Sequence, residues 1–212
     1  MFYLIQHVLE EGAGVFEQLL PSNVRMILAS RDDFPKDVRE ISGVLIMGGP
    51  MGVYERNLYP FIEQELNFIK KCYESGVKVF GVCLGAQMIA EALGGKVYKG
   101  HVQEIGWCKI RHTKEAKDDT LFSIFPEELL VFQWHGDTFE LPPNAVRLAT
   151  SDEYKNQSFR VGNNIYGLQY HIEVTDNIIK EWFPETHEKM VNPDLKRLNN
   201  LAIEAFKKFL KL

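Results

Sequence analysis

The stretch Lys78-Val-Phe-Gly-Val-Cys83-Leu-Gly-Ala-Gln87-Met-Ile-Ala-Glu-Ala-Leu93 decides the fold, because two kinds of hydrophobic pattern meet in it at one cysteine. Residues 78–82 form a short run rich in apolar, β-branched side chains, which favours a buried strand. From Leu84 onward the apolar residues recur at helical spacing, and Gly94-Gly95 is a typical end for such a helix. The stretch therefore predicts a strand followed directly by a helix.

The junction between these two elements is a sharp turn at Cys83, with a glycine two residues to either side. This G-x-C-x-G pattern is the cysteine form of the nucleophile elbow G-x-S-x-G, in which Gly81 and Gly85 let the strand and helix pack closely. Unpaired N–H groups at the start of the helix favour a thiolate at Cys83. Spacing alone leaves two other interpretations open, a buried core thiol and a phosphate loop, although the G-x-G-x-x-G pattern is absent.

Length and composition limit the class of protein. The chain has 212 residues, 45% of them hydrophobic and 25% charged, which suits one soluble domain of ordinary size. The net charge of −5 gives no general attraction to nucleic acid or to anionic membranes. Three cysteines, at positions 72, 83 and 108, argue against a disulfide framework and for a reducing compartment. With neither a signal peptide nor an apolar run of about 20 residues, we expect a soluble, cytoplasmic protein.

The first half of the chain alternates strand and helix patterns. Strands are predicted at residues 2–6, 24–28 and 43–47, and helices at 12–20 and 58–75. This alternation indicates βαβ units, and hence a parallel sheet with helices on both faces. Function in such sheets collects at the carboxyl ends of the strands. The glycine-rich loop at residues 48–52 and Cys83 both occupy that position, so we expect them to be neighbours.

The second half predicts short strands joined by turn-rich loops. The candidates are residues 96–98, 107–112, 130–134, 145–150, 159–161 and 165–170, with Asn163-Asn164 as a two-residue hairpin turn. Two helical stretches close the chain at residues 176–190 and 194–212, and Pro184 should break or kink the first. We therefore predict a three-layer α/β fold. Its central sheet is mostly parallel, has helices on both faces, and is extended by an antiparallel, hairpin-rich region.

A candidate general base lies at the end of the last predicted strand, in Gln169-Tyr-His171-Ile-Glu173. An alternation of period two places His171 and Glu173 on one face, where the carboxylate can orient the imidazole and stabilise its protonated form. A solvent-facing pair on an edge strand is the ordinary alternative. A metal site is a further alternative, but the pair supplies only two ligands.

Taken together, these motifs resemble those of the class I (triad) glutamine amidotransferases. The elbow Gly81-Val-Cys-Leu-Gly-Ala-Gln87 is followed by Gln-Tyr-His-Ile-Glu, with the histidine 88 residues after the cysteine (171 − 83). Ile46-Met-Gly-Gly-Pro-Met-Gly52, Glu104-Ile-Gly-Trp107 and Gln133-Trp-His-Gly-Asp-Thr-Phe-Glu-Leu-Pro142 resemble the stand-alone branch related to the amidotransferase domain of GMP synthase. The resemblance covers essentially the whole chain. It implies one class I amidotransferase-like domain over residues 1–212, with a flavodoxin-like sheet.

The resemblance also implies roles for individual residues. Cys83 would be the nucleophile, His171 the general base and acid, and Glu173 the residue that orients His171. The oxyanion hole would be formed by the backbone N–H groups of Gly49 and Leu84. The implied substrate-binding residues are Gly48, Gln87, Trp134, His135, Gly136, Asp137 and Gln169. Neither a metal nor a cofactor is implied.

Three other residues are assigned less directly. Ile172 stands where the family often has proline between the histidine and the glutamate, but it has no part in the chemistry. His135 could be mistaken for the base, and we expect it instead to be a structural or substrate-side residue. We expect His7, at the end of the first strand, to be a packed histidine close to the pocket.

Three functions stay open at this point. In the first, glutamine forms a γ-glutamyl thioester on Cys83 and releases ammonia and glutamate, and any ammonia-accepting synthetase is a separate polypeptide. In the second, the same triad cleaves γ-glutamyl peptides or amides. In the third, the chain is a regulatory or binding module without catalysis. We would expect such a module to have lost a triad residue, but all three are present. The ligand in the first two is glutamine or another γ-glutamyl compound, and neither nucleic acid nor a membrane is a predicted partner.

Overall fold

The computed structural model describes all residues, 1–212, and its core is one nine-stranded sheet. The strands are β1 (Phe2–Gln6), β2 (Val24–Leu28), β3 (Gly43–Ile46), β4 (Val79–Val82), β5 (Lys96–His112), β6 (Glu128–Glu140), β7 (Val146–Thr150), β8 (Ser158–Val161) and β9 (Ile165–Leu168). The helices are α1 (Phe61–Glu74), α2 (Leu84–Ala92), α3 (Lys114–Lys117), α4 (Asp176–Trp182), α5 (His187–Met190) and α6 (Leu195–Leu210). Short 3-10 helices lie at Gly14–Leu19 and Phe122–Ile124.

The strand order is β2-β1-β3-β4-β9-β8-β7-β5-β6. The pairs from β2 through β4 to β9 are parallel, and those from β9 to β6 are antiparallel. The predicted α/β fold, with a parallel sheet in the first half and an antiparallel extension in the second, is confirmed. Strand β9 joins the two halves, because it pairs with β4 on one side and with β8 on the other.

Two hydrophobic layers cover the two faces of the sheet. Helices α1 and α2 pack on one face, where Ile62 and Ile69 are fully buried. On the other face α6 and the first 3-10 helix meet, and the rings of Phe16 and Phe206 stack 4.4 Å apart. Phe80 on β4 lies edge-on to Phe206 at 5.8 Å. The strands alternate between the two layers, as expected for a sheet buried on both sides.

The first half of the chain differs from the prediction at element ends and in the type of one helix. The helix predicted at residues 12–20 is a 3-10 helix, Gly14–Leu19, that follows a glycine-rich turn. The helix predicted at residues 58–75 begins at Phe61, directly after Pro60. Leu58 lies outside the helix with 71% of its surface exposed, so its apolar character does not belong to the helix stripe.

Strands β5 and β6 are longer than the short candidates suggested. Residues 96–98 and 107–112 are the two ends of one strand, and a register shift lies between Lys99 and Glu104. Exposed polar side chains interrupt the hydrophobic pattern there, which made one strand look like two. The predicted hairpin turn at Asn163-Asn164 is wrong in detail, because Gly162 is the residue of this turn that adopts positive φ, at 58°.

The last part of the chain contains the predicted helices, and the strand before them is shorter than predicted. The stretch 176–190 is two helices, α4 and α5, separated where Pro184 interrupts the backbone, as predicted. Strand β9 ends at Leu168, two residues before the predicted end. None of the helices combines the length and the apolar character needed to cross a lipid bilayer.

Candidate active site

Cys83 occupies a strained backbone position between β4 and α2. Its φ of 52° and ψ of −110° lie outside the conformations that non-glycine residues ordinarily adopt. The flanking glycines make the turn possible. A Cβ at Gly81 would lie 2.6 Å from the backbone of Gly85, and a Cβ at Gly85 would overlap the carbonyl oxygen of Ile46. This geometry is that of a nucleophile elbow, as the sequence predicted.

The Cys83 thiol lies between three neighbouring elements. Its backbone N–H donates to the carbonyl of Leu168 at the end of β9, with a distance of 2.7 Å. The sulfur lies 3.8 Å from the carbonyl oxygen of Trp134 and 3.9 Å from the side-chain nitrogen of Gln169. Only 6% of the residue is exposed, so a substrate reaches the sulfur only through the cavity that it lines.

The His171 and Glu173 side chains form a buried pair beside this cysteine. Nδ1 of His171 lies 2.7 Å from Oε1 of Glu173, and each residue is only 1% exposed. The solvent-facing alternative is therefore wrong. The strand itself has ended at Leu168, but the chain continues extended and His171 makes a two-bond antiparallel bridge with Phe132 on β6. The ring of Trp182 closes the site at 5.0 Å from the imidazole.

Electrostatics favour a protonated His171. Burial by itself would lower the pKa of His171, but the charges and hydrogen bonds of Glu173 and Cys83 outweigh it and hold that pKa well above 6.5. Because Nδ1–H of His171 donates to Glu173 Oε1, Nε2 is the nitrogen left to exchange a proton with a nearby group. The other carboxylate oxygen of Glu173 has no hydrogen-bond partner.

The loop after β3 lies against Cys83 and the start of α2, and each of these two segments carries a backbone N–H without a partner in regular structure. A Cβ at Gly48 would lie 3.5 Å from Cβ of Cys83, and a Cβ at Gly49 would lie 2.9 Å from the Leu84 side chain. The N–H of Gly49 makes no hydrogen bond within the protein. Leu84 is the first residue of α2, so its N–H has no partner within the helix. The predicted neighbourhood of this loop and Cys83 is confirmed.

A cavity of about 580 Å³ opens in front of Cys83. Several of the predicted site residues line it: Gly49, Cys83, Gln87, Trp134, His135, Gly136 and Asp137. The others lie behind its wall: Gly48, Leu84, Gln169, His171 and Glu173. All the candidate residues predicted from the sequence therefore lie in one region of the fold. Some line the cavity, and the others are buried behind it.

Gln87 and His135 line this cavity, and Gln169 lies behind Gln87. Nε2 of Gln87 lies 3.1 Å from Oε1 of Gln169 and 3.4 Å from the carbonyl oxygen of Asp137. Both ring nitrogens of His135 are occupied, by Glu104 Oε2 at 2.9 Å and by the carbonyl of Asp137 at 2.9 Å. His135 therefore shapes the wall of the cavity, and its ring has no nitrogen left to act as a base.

Sequence reasoning missed three charged residues that line the cavity, Glu11, Glu55 and Lys99. Glu11 lies so close to Gly48 that a Cβ on that glycine would overlap its Oε2. Burial raises the pKa of the Glu11 carboxyl, and His171 and His7 partly oppose that rise. Its position, five residues beyond the end of β1 and therefore at the carboxyl edge of the sheet, was the available signal.

The sequence and the structure are both similar to those of known glutamine amidotransferases. A family model described as "Glutamine amidotransferase class-I" matches residues 15–183. The chain is 28% identical over 202 residues to a protein of Salmonella typhimurium named "Putative glutamine amidotransferase-like protein YfeJ", covering 92% of this chain and 84% of that one. It is 33% identical over 174 residues to "GMP synthase [glutamine-hydrolyzing]" of Herminiimonas arsenicoxydans, covering 78% of this chain and 30% of that one.

Solved structures give the same picture for the whole chain. A glutamine amidotransferase from Thermotoga maritima superposes with a TM-score of 0.88 at 33% identity, covering 100% of this chain and 98% of that one. A glutamine amido transferase from Methylobacillus flagellatus superposes with a TM-score of 0.86 at 28% identity, covering 99% and 94%. The chain thus spans less than a third of the GMP synthase that it matches but nearly all of these two structures.

Proposed function

This chain belongs to the class I glutamine amidotransferases, and from that premise we propose that it hydrolyses the γ-carboxamide of glutamine with Cys83, His171 and Glu173 as a catalytic triad. The single observation that carries the proposal is the buried 2.7 Å contact between His171 and Glu173 beside a cysteine held at positive φ. A nucleophile, a base and an orienting carboxylate in contact are the arrangement that thiol catalysis requires.

The reaction would proceed through a covalent thioester. The Cys83 thiolate attacks the carboxamide carbon, and the proton that the thiol has given up is held on Nε2 of His171. The C–N bond then breaks, and the same proton goes to the departing ammonia. Water next attacks the γ-glutamyl thioester, with His171 as its base, and glutamate leaves as the thiol is regenerated.

The oxyanion of each tetrahedral intermediate would be stabilised by the N–H groups of Gly49 and Leu84. Gly49 lies in the loop that packs against Cys83 and Leu84, and Leu84 directly follows Cys83 in the chain. Removing one such donor typically lowers kcat by about 10²- to 10³-fold, so this pair accounts for a large share of the expected catalysis. Leu84 also begins α2, whose positive end favours negative charge at this point.

The ammonia would have an acceptor elsewhere. This chain aligns with 30% of the length of a glutamine-hydrolysing GMP synthase, and a synthetase of that kind would be the acceptor. The cavity supplies the contacts for the substrate itself. Gln87 and the backbone of residues 134–137 line it, and Gln169 lies directly behind Gln87.

A glutamate-release assay tests this proposal. We expect the purified chain, alone or with a candidate synthetase, to release glutamate from glutamine, and Cys83→Ala to release none. A glutamine-like affinity label should add its mass to wild-type protein at Cys83 and leave the variant unlabelled. Wild-type protein that is folded, resists the label and cleaves no γ-glutamyl compound would contradict the proposal.

A second candidate substrate is a γ-glutamyl amide or peptide with a larger leaving group. The observation in its favour is the size and lining of the cavity, which holds about 580 Å³ and has an apolar side. Val102, Ile105 and Trp134 line it with 41%, 45% and 37% of their surfaces exposed. If kcat/KM is at least about tenfold higher for γ-glutamyl dipeptides than for glutamine, a gap of about 1.4 kcal/mol, this substrate class replaces glutamine.

A further inference from the structure

A buried histidine–glutamate pair lies directly behind the loop that carries Gly49. Nε2 of His7 is 3.0 Å from Oε2 of Glu65, and both side chains are fully excluded from solvent. Nδ1 of the same ring is 2.9 Å from the carbonyl oxygen of Gly48. The expectation that His7 is a packed histidine is confirmed, but its partners are not those of an ordinary core residue.

Glu65 is costly in the place where it lies. It belongs to the buried stripe of α1, between the apolar residues Ile62 and Ile69, and one of its oxygens has no hydrogen-bond partner. A carboxyl group in such surroundings lowers the stability of the fold unless it is paired, and an apolar side chain of similar size would pack there without that cost. Its one side-chain partner is His7, so the pair needs a role beyond packing.

The proton positions of the pair follow from its partners. A carbonyl oxygen can only accept, so the hydrogen between His7 and Gly48 is on Nδ1. The second proton lies between Nε2 and Glu65, and whichever of the two carries it, Nδ1–H still donates to Gly48. Burial alone would lower the pKa of His7, but the charge and hydrogen bond of Glu65, with the Gly48 carbonyl, raise it above 6.5.

The bond to Gly48 has a direct effect on Gly49. The carbonyl of Gly48 and the N–H of Gly49 belong to one planar trans peptide and point in opposite directions. A donor that holds this carbonyl therefore also sets the direction of the Gly49 N–H. Two consecutive glycines would otherwise allow the peptide to rotate freely. His7 also contacts the loop itself, since a Cβ on Gly49 would lie 2.8 Å from Cβ of His7.

We propose that His7 is a positioning residue for the oxyanion hole: oriented by Glu65, its Nδ1–H holds the 48–49 peptide so that the Gly49 N–H faces the oxygen of the carboxamide attacked by Cys83. This inference rests on the proposed function, because it assigns the Gly49 N–H to the tetrahedral intermediate. His7 touches neither substrate nor sulfur in this role. Its effect reaches the reaction through one peptide group.

Two substitutions at His7 separate the hydrogen bond from the volume of the side chain. His7→Leu removes the hydrogen-bond donor but still fills the buried site with a bulky side chain. His7→Asn keeps an N–H group on the atom bonded to Cγ, the place of Nδ1, and gives up the contact with Glu65. We expect kcat for glutamate release to fall about 10²-fold in His7→Leu, with KM changed less than about threefold, and to return to within about tenfold of wild type in His7→Asn.

Alkylation of Cys83 by iodoacetamide supplies a readout that a general structural defect would move. Alkylation needs the thiolate and makes no oxyanion, so its rate should stay within about twofold of wild type in both variants. If kcat is unchanged in His7→Leu, or if alkylation and kcat fall together, the inference is overturned. Equal losses of kcat in His7→Leu and His7→Asn would also overturn it.

Crystal structures of wild type and His7→Leu test the inference independently of turnover. We expect the 48–49 peptide to rotate or to become mobile in His7→Leu. An unchanged peptide would refute the inference even if the variant is slow. A wild-type protein that hydrolyses no γ-glutamyl compound would refute the proposed function. The effect of His7 on the 48–49 peptide would still be visible in the two crystal structures, so the two failures can be told apart.

Discussion

Replacing Gly49 with alanine tests the proposed oxyanion hole, because the structure leaves no room for a methyl group at this position. The added Cβ would lie 2.8 Å from Cβ of His7 and 2.9 Å from Cδ2 of Leu84, whereas ordinary contacts begin at 3.4 Å. Relieving the first contact takes a shift of at least 0.6 Å (3.4 − 2.8). His7 cannot yield, because both of its ring nitrogens are hydrogen-bonded. The 48–49 loop must therefore move.

The size of the effect follows from that displacement. A shift of about 1 Å in a reacting group can cost about 10²-fold in rate, and the loss of one oxyanion donor costs about 10²- to 10³-fold. We expect Gly49→Ala to lower kcat by about 10²- to 10³-fold, or about 2.7–4 kcal/mol. KM should change less than about threefold, because the ground-state substrate does not use this N–H.

Gly76→Ala is the matched control for Gly49→Ala. Gly76 follows α1 at a φ of 72°, and an alanine Cβ there meets no atom within 4 Å. The cost is conformational, about 1–2 kcal/mol of unfolding free energy, and kcat should not change. Steady-state glutamate release and urea unfolding are measured for both variants. A folded Gly49→Ala protein whose kcat stays within about fivefold of wild type would refute the assignment of Gly49.

Three further outcomes are expected from the same site. Glu173→Gln should lower kcat/KM by about 10²-fold or more in the glutamate-release assay, because His171 loses the carboxylate that orients it; an unchanged value would remove Glu173 from the triad. His171 has a folded-state pKa well above 6.5, so its contribution to stability is complete below pH 6.5 and is lost as the pH rises through that folded-state value. Urea unfolding should therefore show a gap between wild type and Glu173→Gln that narrows as the pH rises above 6.5, and a widening gap would contradict the assigned charge. Limiting iodoacetamide at neutral pH should label Cys83 alone by peptide mass spectrometry, since burial raises the pKa of Cys72 to about 12 and also raises that of Cys108; label on either of those two in Cys83→Ala would count against this assignment.

The elbow and the neighbouring strands could be predicted from sequence because their signals are local. The ranges of β1 and β2 match the predicted residues, and the turn at Cys83 follows from the glycines around it. The steric demands of the five residues 81–85 leave few alternative backbone conformations for this turn. The placement of residues 48–52 beside the elbow needed only one further rule, that parallel strands end at the same edge.

The antiparallel half was less predictable, since its pattern depends on what lies across the sheet. Strand β5 runs on through residues 99–104, although a register shift interrupts its pairing with β6. The pairing of His171 with Glu173 was expected from a strand that in fact ends at Leu168. The bridge to Phe132 on β6 keeps the chain extended there, and the sequence around His171 contains no pattern that predicts this bridge.

Glu65 was missed for a different reason. Its spacing from Ile62 and Ile69 puts it on the buried stripe of α1, and that was a usable signal. A lone acid on an apolar stripe can equally reach solvent at the helix edge, however, so spacing does not name its partner. His7 lies 58 residues earlier, on a different element, and only the three-dimensional fold brings the two together.

The position of β9 in the sheet determines the order in which the proposed site residues come together during synthesis. The proposed nucleophile follows β4, but the proposed base follows β9, which enters between β4 and β8 only after both hairpin strands β7 and β8 have been made. A chain emerging from the ribosome thus carries the proposed nucleophile for some 88 residues of synthesis without the histidine that would activate it (171 − 83). Truncated products that stop before β9 hold the thiol but no base. Completion of the sheet and assembly of the proposed triad are therefore the same event.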